Sequence, residues 1–255
     1  MSSSFLAVVL LETPVIPDMS ALAKAIRARH PELPIEADGG KEGQTSPLLR
    51  CGDDTVAVMS MPSPAPADPG LWLRTSATWP QGEAIAARHR GHVIVSVLGK
   101  KHEPLRAARL TTAVVGGLIA AVPQCCAVLW NGKVARATDL WSDMSKQSFA
   151  PFPEYPFSLW IDVLPFRSDS GIGAVTMGLS AFAEREIEFE THKLSLAELM
   201  DKVHGLAVYL VEHGPVVKDG DTFGSNERER FTVYYKNSDT FGGLPVFYCT
   251  DDPAK

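Results

Sequence analysis

The chain has 255 residues, 45% hydrophobic and 21% charged, which is enough apolar material for a full core and excludes global disorder. Its formal net charge of −6 excludes a general affinity for nucleic acid or anionic lipid unless a local patch overrides it. Cys51, Cys125, Cys126 and Cys249 form no C-x-x-C pair, so neither a zinc knuckle nor a thioredoxin-like site is signalled, and a reducing compartment is the simpler inference.

The opening MSSSFLAVVLLETP lacks a basic region, and Glu12 ends its short apolar run. It reads as a first strand over Phe5–Leu11 rather than as a signal peptide. Asp18 caps a predicted helix over Met19–His30, with Leu22, Ala23 and Ile26 on one face, and Pro31 stops it. Thr55–Met61 is a second strand, ended by the Pro-rich MPSPAPADPG. A short helix over Gln81–His89 follows, then a strand over His92–Leu98. Glu103–Val122 reads as a helix, with Pro104 placed in its first turn, where an amide would be unsatisfied anyway. Gly116-Gly117 inside it requires either a closely packed neighbouring backbone or a break, since each glycine costs about 1 kcal/mol relative to alanine. Its apolar stretch, Leu110–Val122, is too short to span a bilayer. Cys126–Trp130 is a strand ending at the turn dipeptide Asn131-Gly132.

Phe149–Trp160 contains three prolines, which rule out helix and central strand. It reads as a linker whose aromatics either pin it to the body or meet a partner. Strands are expected at Leu159–Leu164, Gly173–Phe182 and Glu186–Glu190, the last with glutamates alternating around Ile187 and Phe189 as on a half-exposed strand. Ser195 and Glu198 form a capping box. After it, Leu196, Leu199, Met200, Val203, Leu206, Ala207 and Leu210 recur at helical spacing, until Gly214-Pro215 ends the run. Arg230–Lys236 and Pro245–Cys249 close the chain as strands.

This order predicts an α+β protein with mixed or antiparallel sheets and helices packed on one face. Residues 1–148 form an N-terminal half, 149–157 a Pro/aromatic linker and 158–255 a C-terminal half. The loosely β-α-β order of each half suits two ferredoxin-like sandwiches, although no repeat between them is visible.

No catalytic motif is found, and no metal or cofactor is implied. Gly171-Ile172-Gly173 lacks a third glycine at dinucleotide spacing, and Gly178-Leu179-Ser180-Ala181-Phe182 lacks the last glycine of a nucleophile elbow. His89 and His92 are split by Gly91 and by the start of a strand, so with His102 they read as a polar lip rather than a metal cluster. Lys100, Lys101 and His102, with Arg106, surround a glycine turn at a helix start. That is the arrangement that holds a small anion. Asp219 and Asp221 flank Gly220, which reads as a hairpin turn and, secondarily, as a binding loop. Trp72, Trp79, Phe152 and Tyr155 lie on or beside Pro-rich segments, where aromatics serve interfaces or pack inward.

Ser158-Leu159-Trp160-Ile161-Asp162, Ala174-Val175-Thr176-Met177-Gly178-Leu179, Glu186-Ile187-Glu188, the helix from Ser195 into Gly214-Pro215-Val216, and Asp219-Gly220-Asp221-Thr222-Phe223-Gly224 follow one another in a specific order. In this order they resemble the bacterial domain-of-unknown-function 4261 family, over roughly residues 158–236. Met61-Pro62-Ser63-Pro64, Trp79-Pro80 and His92–Val97 resemble what precedes that domain in similar proteins. The resemblance transfers no catalytic residue. It implies an immunity or adaptor role near secreted-toxin loci.

Charge sharpens that expectation. Gln81–Leu110 holds six Arg and Lys against Glu83 and Glu103, whereas Glu184–Lys255 holds eight basic and fourteen acidic residues. An acidic C-terminal third suits a cytoplasmic binder of another protein, for instance a basic toxin, and neither nucleic acid nor membrane. The alternative is a small-anion-binding protein or enzyme using the Gly99–Arg109 region.

Overall fold

The computed structural model describes residues 5–38, 47–98, 103–168, 171–226 and 229–251. These residues form seven α-helices and two mostly antiparallel sheets, an α+β fold. The chain divides into two compact units, Met1–Trp160 and Ile161–Lys255.

The N-terminal unit runs β1 (Leu6–Leu11), α1 (Met19–Arg29), β2 (Ile35–Ala37), β3 (Leu48–Cys51), β4 (Asp54–Met61), α2 (Pro69–Thr75), α3 (Gly82–Ala86), β5 (Gly91–Leu98), α4 (Pro104–Ala121), β6 (Cys125–Trp130), β7 (Val134–Ala137) and α5 (Thr138–Met144). Its sheet has the order β2-β3-β4-β5-β1-β6-β7, antiparallel throughout. The inner strands β4-β5-β1-β6, threaded by α1 and α4, are the ferredoxin-like plan, widened by β2–β3 at one edge and β7 at the other.

One face of this sheet is a ladder of registered apolar residues. Val56 and Val58 oppose Val97 and Val95, Val93 and Val95 oppose Val9 and Ala7, and these oppose Val128 and Trp130. Registered partners share a face, so the ladder forms one buried surface under α4 and α5. The opposite face departs from the one-sided packing expected. Val8, Leu10, Ala127 and Leu129 meet Trp72, Trp79, Ile85 and Ala86, so α2 and α3 cover part of it.

Gly116-Gly117 leaves α4 unbroken and answers the close-packing alternative. A Cβ at Gly117 would lie 2.3 Å from Ile26 Cγ1 and 3.2 Å from the α1 backbone, and one at Gly116 would lie 2.2 Å from Ser145 Oγ. Alanine would gain about 1 kcal/mol in helix propensity but overpack a contact that cannot move cheaply, at about 1–3 kcal/mol. Gly117→Ala is therefore expected to lower the urea midpoint. A midpoint raised by the full propensity gain would show that α1 and α4 separate freely.

The C-terminal unit runs β8 (Asp162–Ser168), β9 (Gly171–Met177), α6 (Ser180–Ala183), β10 (Glu186–Thr191), α7 (Leu196–His213), β11 (Thr222–Asn226), β12 (Glu229–Asn237) and β13 (Pro245–Thr250). Its order is β11-β12-β13-β10-β9-β8, antiparallel except for the parallel pair β10–β13. It has one long helix and not the split two-helix order, so the ferredoxin-like plan holds for the N-terminal unit alone. The capping box forms as the spacing predicts, with Ser195 N donating to Glu198 Oε2 at 2.8 Å. The helix buries Leu199, Val203, Leu206, Ala207 and Leu210, while Leu196 stays exposed in the first turn. Beneath it, Ile187, Phe189, Phe231, Val233, Phe247 and Cys249 are buried.

Three strand expectations change. Trp160 turns inward at the end of a short 3-10 turn, so β8 begins at Asp162 rather than Leu159. The strand expected over Gly173–Phe182 ends at Met177 and gives way to α6. On β10, Glu186 and Glu188 are both buried; for Glu186, hydrogen-bond donors of the protein stand where solvent was expected. Burial pushes the Glu188 carboxyl above its ordinary range, against the pull of Ser238 and Lys236.

Candidate functional site

The C-terminal unit contains an open groove of about 990 Å³ between α7 and β11. Helical spacing of three and four residues puts Glu198, Asp201, Lys202, Gly205, Leu206 and Tyr209 on the α7 wall. Gly214, at φ 73°, lets the chain leave α7 and double back through Val216 and Val217. Thr222, Phe223 and Gly224 of β11 complete the second wall, over Val233.

Each wall is anchored. Phe223 meets Phe189 edge-on at 5.7 Å and Phe231 at 5.5 Å, tying β11 to the sheet core. Leu206 and Val233 are buried, while Tyr209 and Val216 are each 45% exposed, an aromatic and an aliphatic side chain that face water. Glu198, Asp201 and Asp221 stand against Lys202. The groove thus combines an apolar base with an acidic rim.

Asp219 and Asp221 act within the turn. Asp219 Oδ1 accepts from Tyr235 N at 2.6 Å, Asp221 Oδ2 accepts from Lys218 N at 2.8 Å, and Gly220 sits at φ 85°. Asp221 lines the groove; Asp219 instead ties the turn to β12.

The loop aromatics divide. Trp72 and Trp79 are half-buried against the sheet, 6.2 Å apart and edge to face. Tyr155 is buried and stacks on Trp160 at 5.7 Å. Phe152 is 53% exposed.

Lys100, Lys101 and His102 lie outside the described residues. Arg106 is ion-paired, donating through Nε at 3.0 Å and Nη2 at 2.8 Å to Asp54 Oδ2. His89 and His92 hold the Pro-rich stretch down. His89 Nε2 accepts from Ala65 N at 2.8 Å, which leaves its Nδ1–H for Ala86 O, and His92 Nδ1 pairs with Ser63 O at 2.8 Å.

The groove was missed in the sequence because its walls come from residues up to thirty-five apart, Glu198 to Val233. One signal was present: Tyr209 stands among charged residues on the solvent side of an otherwise regular amphipathic helix.

A family model, Domain of unknown function (DUF4261), matches residues 175–245. The match takes in both walls of the groove. It starts after the Ser158–Asp162 block and does not reach the N-terminal blocks. No curated protein and no solved structure matches the chain. No helix among the described residues is long and apolar enough to cross a membrane.

Proposed function

We propose that this chain is a protein-binding module, that the α7–β11 groove is its docking surface, and that its partner presents a basic, amphipathic segment. The observation that carries the reading is the pairing of exposed Tyr209 and Val216 with an acidic rim of Glu198, Asp201 and Asp221 in one groove. Tyrosine in a desolvated groove is a frequent source of binding energy. The acidic rim raises the association rate of a basic partner and repels acidic competitors. The eight-to-fourteen balance of basic and acidic residues over Glu184–Lys255 extends the same field. The rim carboxylates of Glu198 and Asp221 serve a helix cap and a turn, which suits recognition better than proton transfer. Within this class, neutralising a basic secreted toxin in the cytoplasm is the specific role that fits charge and family resemblance together.

A photo-crosslinking residue at position 209, installed in the full chain in its native cytosol, identifies the occupant, which is then purified. Tyr209→Ala should weaken it about tenfold or more. Asp201→Lys should slow its association about tenfold and flatten the salt dependence. A partner indifferent to both substitutions, a partner with an acidic contact surface, or equal crosslinking from exposed Leu140 of the N-terminal unit would refute the reading.

A further inference from the structure

We infer that the N-terminal unit carries a separate small-molecule site, a pocket that binds an organic monocarboxylate through Arg106 and Arg109 and seats its apolar body against Phe149. The pocket encloses about 390 Å³, within the range of small-ligand sites. It lies where the β3–β4 turn meets the first turns of α4. Leu33, Pro34, Leu105, Leu110 and Phe149 supply apolar walls.

The polar groups come from the β3–β4 turn and from α4. Arg106 and Arg109 are three residues apart on α4 and so share a face. Asp54, 5% exposed, receives Nε and Nη2 of Arg106 on a single oxygen. That fixes the guanidinium plane and leaves the Nη1 edge outside the pair. Arg109 lies with Cζ 5.3 Å from the Tyr155 ring centroid, and its Nε–H is buried with no acceptor among the described residues. A carboxylate seated against the two guanidinium groups makes a charge-assisted bond to each, and a rotation of the Arg109 side chain toward it brings the buried Nε–H to an acceptor.

Charge selects the ligand class. Asp54 already offsets one guanidinium, and Glu103 stands at the rim. Together Asp54 and Glu103 balance the two guanidinium groups formally, so a monocarboxylate beside Arg109 adds one charge, whereas a phosphate dianion adds a second with no cation to offset it next to Asp54. Burial and the Asp54 charge push the Cys51 thiol up, so at neutral pH Cys51 is an uncharged wall of the pocket rather than a nucleophile.

The test uses the full chain, isotope-labelled at the arginine side chains, titrated with 3-phenylpropanoate, 3-phenylpropanamide and phenyl phosphate. The expected result is a shift of the Arg109 and Arg106 Nε–H signals on adding 3-phenylpropanoate. The neutral amide should bind about tenfold or more weakly, since it forfeits charge-assisted bonds. Arg109→Ala should weaken the carboxylate by a similar factor. Arg109→Lys, which keeps the charge and most of the stem, should weaken it severalfold and guards against an unfolded alanine variant. Equal affinity for acid and amide, tighter binding of phenyl phosphate, or Nε–H signals that stay put up to the solubility limit would each overturn the inference.

Discussion

Replacing Glu186 with alanine is expected to destabilise the C-terminal unit by about 3–5 kcal/mol, because it strips the acceptor from a buried network. The side chain is fully buried at the start of β10. Its Oε1 accepts from Gly178 N at 2.9 Å, Ser180 N at 3.2 Å and Ser180 Oγ at 2.8 Å. Its Oε2 accepts from Leu179 N at 2.9 Å and Thr176 Oγ1 at 2.8 Å. Thr176 Oγ1 in turn accepts from Ile187 N at 2.8 Å, so the network ties β9 to β10. The turn from Gly178 into α6 is thus held by a carboxylate six positions further on than its last amide. Without it, donors of a turn and a strand are left inside the protein without an acceptor, and each costs about 1–3 kcal/mol unless water reaches it. Glu186→Gln is the informative companion. It keeps the volume and one oxygen, but it sets an NH₂ group against N–H donors, so it should lose most of the same stability. Urea denaturation gives the magnitude, and faster amide exchange at residues 178–180 and 187 gives the location. A loss below about 1 kcal/mol for Glu186→Ala would mean that water replaces the carboxylate freely.

The same residue shows where sequence reading stopped. Ile187 and Phe189 between glutamates make a regular alternation, and alternation ordinarily marks a strand with one wet face. What the pattern does not carry is the tight turn at Gly178–Ser180, whose amides converge on Glu186 only after β9 and β10 have paired. Signals contained in a few neighbouring residues were legible. The Ser195/Glu198 box, the Asp18 cap that accepts from Ala21 N, and the Asn131-Gly132 turn with both residues at positive φ are of this kind. The helix Pro69–Thr75 went unread although its cue was there: Asp68 accepts from Leu71 N, and Pro69 opens the first turn. The preceding run of prolines masked it. Both pockets depend on segments distant in the chain, Asp54 with Arg106 in one and Glu198 with Val233 in the other. The anion reading of Gly99–Arg109 reached Arg106 but not Asp54, and of the groove only Tyr209 gave a local signal.

Trp160→Ala is expected to cost the N-terminal unit about 3–5 kcal/mol, the usual penalty for a cavity left by a buried aromatic. The Pro-rich stretch before Trp160 has the composition of a tether, yet its final residues pack like core. Trp160 is fully buried, stacks on Tyr155 at 5.7 Å and on Trp130 at 6.3 Å, and donates its Nε1–H to Thr112 Oγ1 at 2.8 Å. Thr112 O accepts from Trp141 Nε1 at 3.4 Å, so one residue of α4 serves two indoles. Arg136, itself buried, donates Nε at 2.8 Å and Nη2 at 2.5 Å to Ser158 O and so fixes the backbone two residues before the ring. Trp160→Phe should lose less, about 1–2 kcal/mol, because it keeps most of the stacked surface and gives up the hydrogen bond. All five tryptophans lie at or before position 160, so intrinsic fluorescence during urea denaturation reads this unit selectively. If Trp160→Ala leaves the fluorescence midpoint within the equivalent of about 1 kcal/mol of the parent, residues 149–160 are a tether lying on the N-terminal unit and not part of its core. A large shift would instead place the end of that core at Trp160, with the C-terminal chain beginning at Ile161.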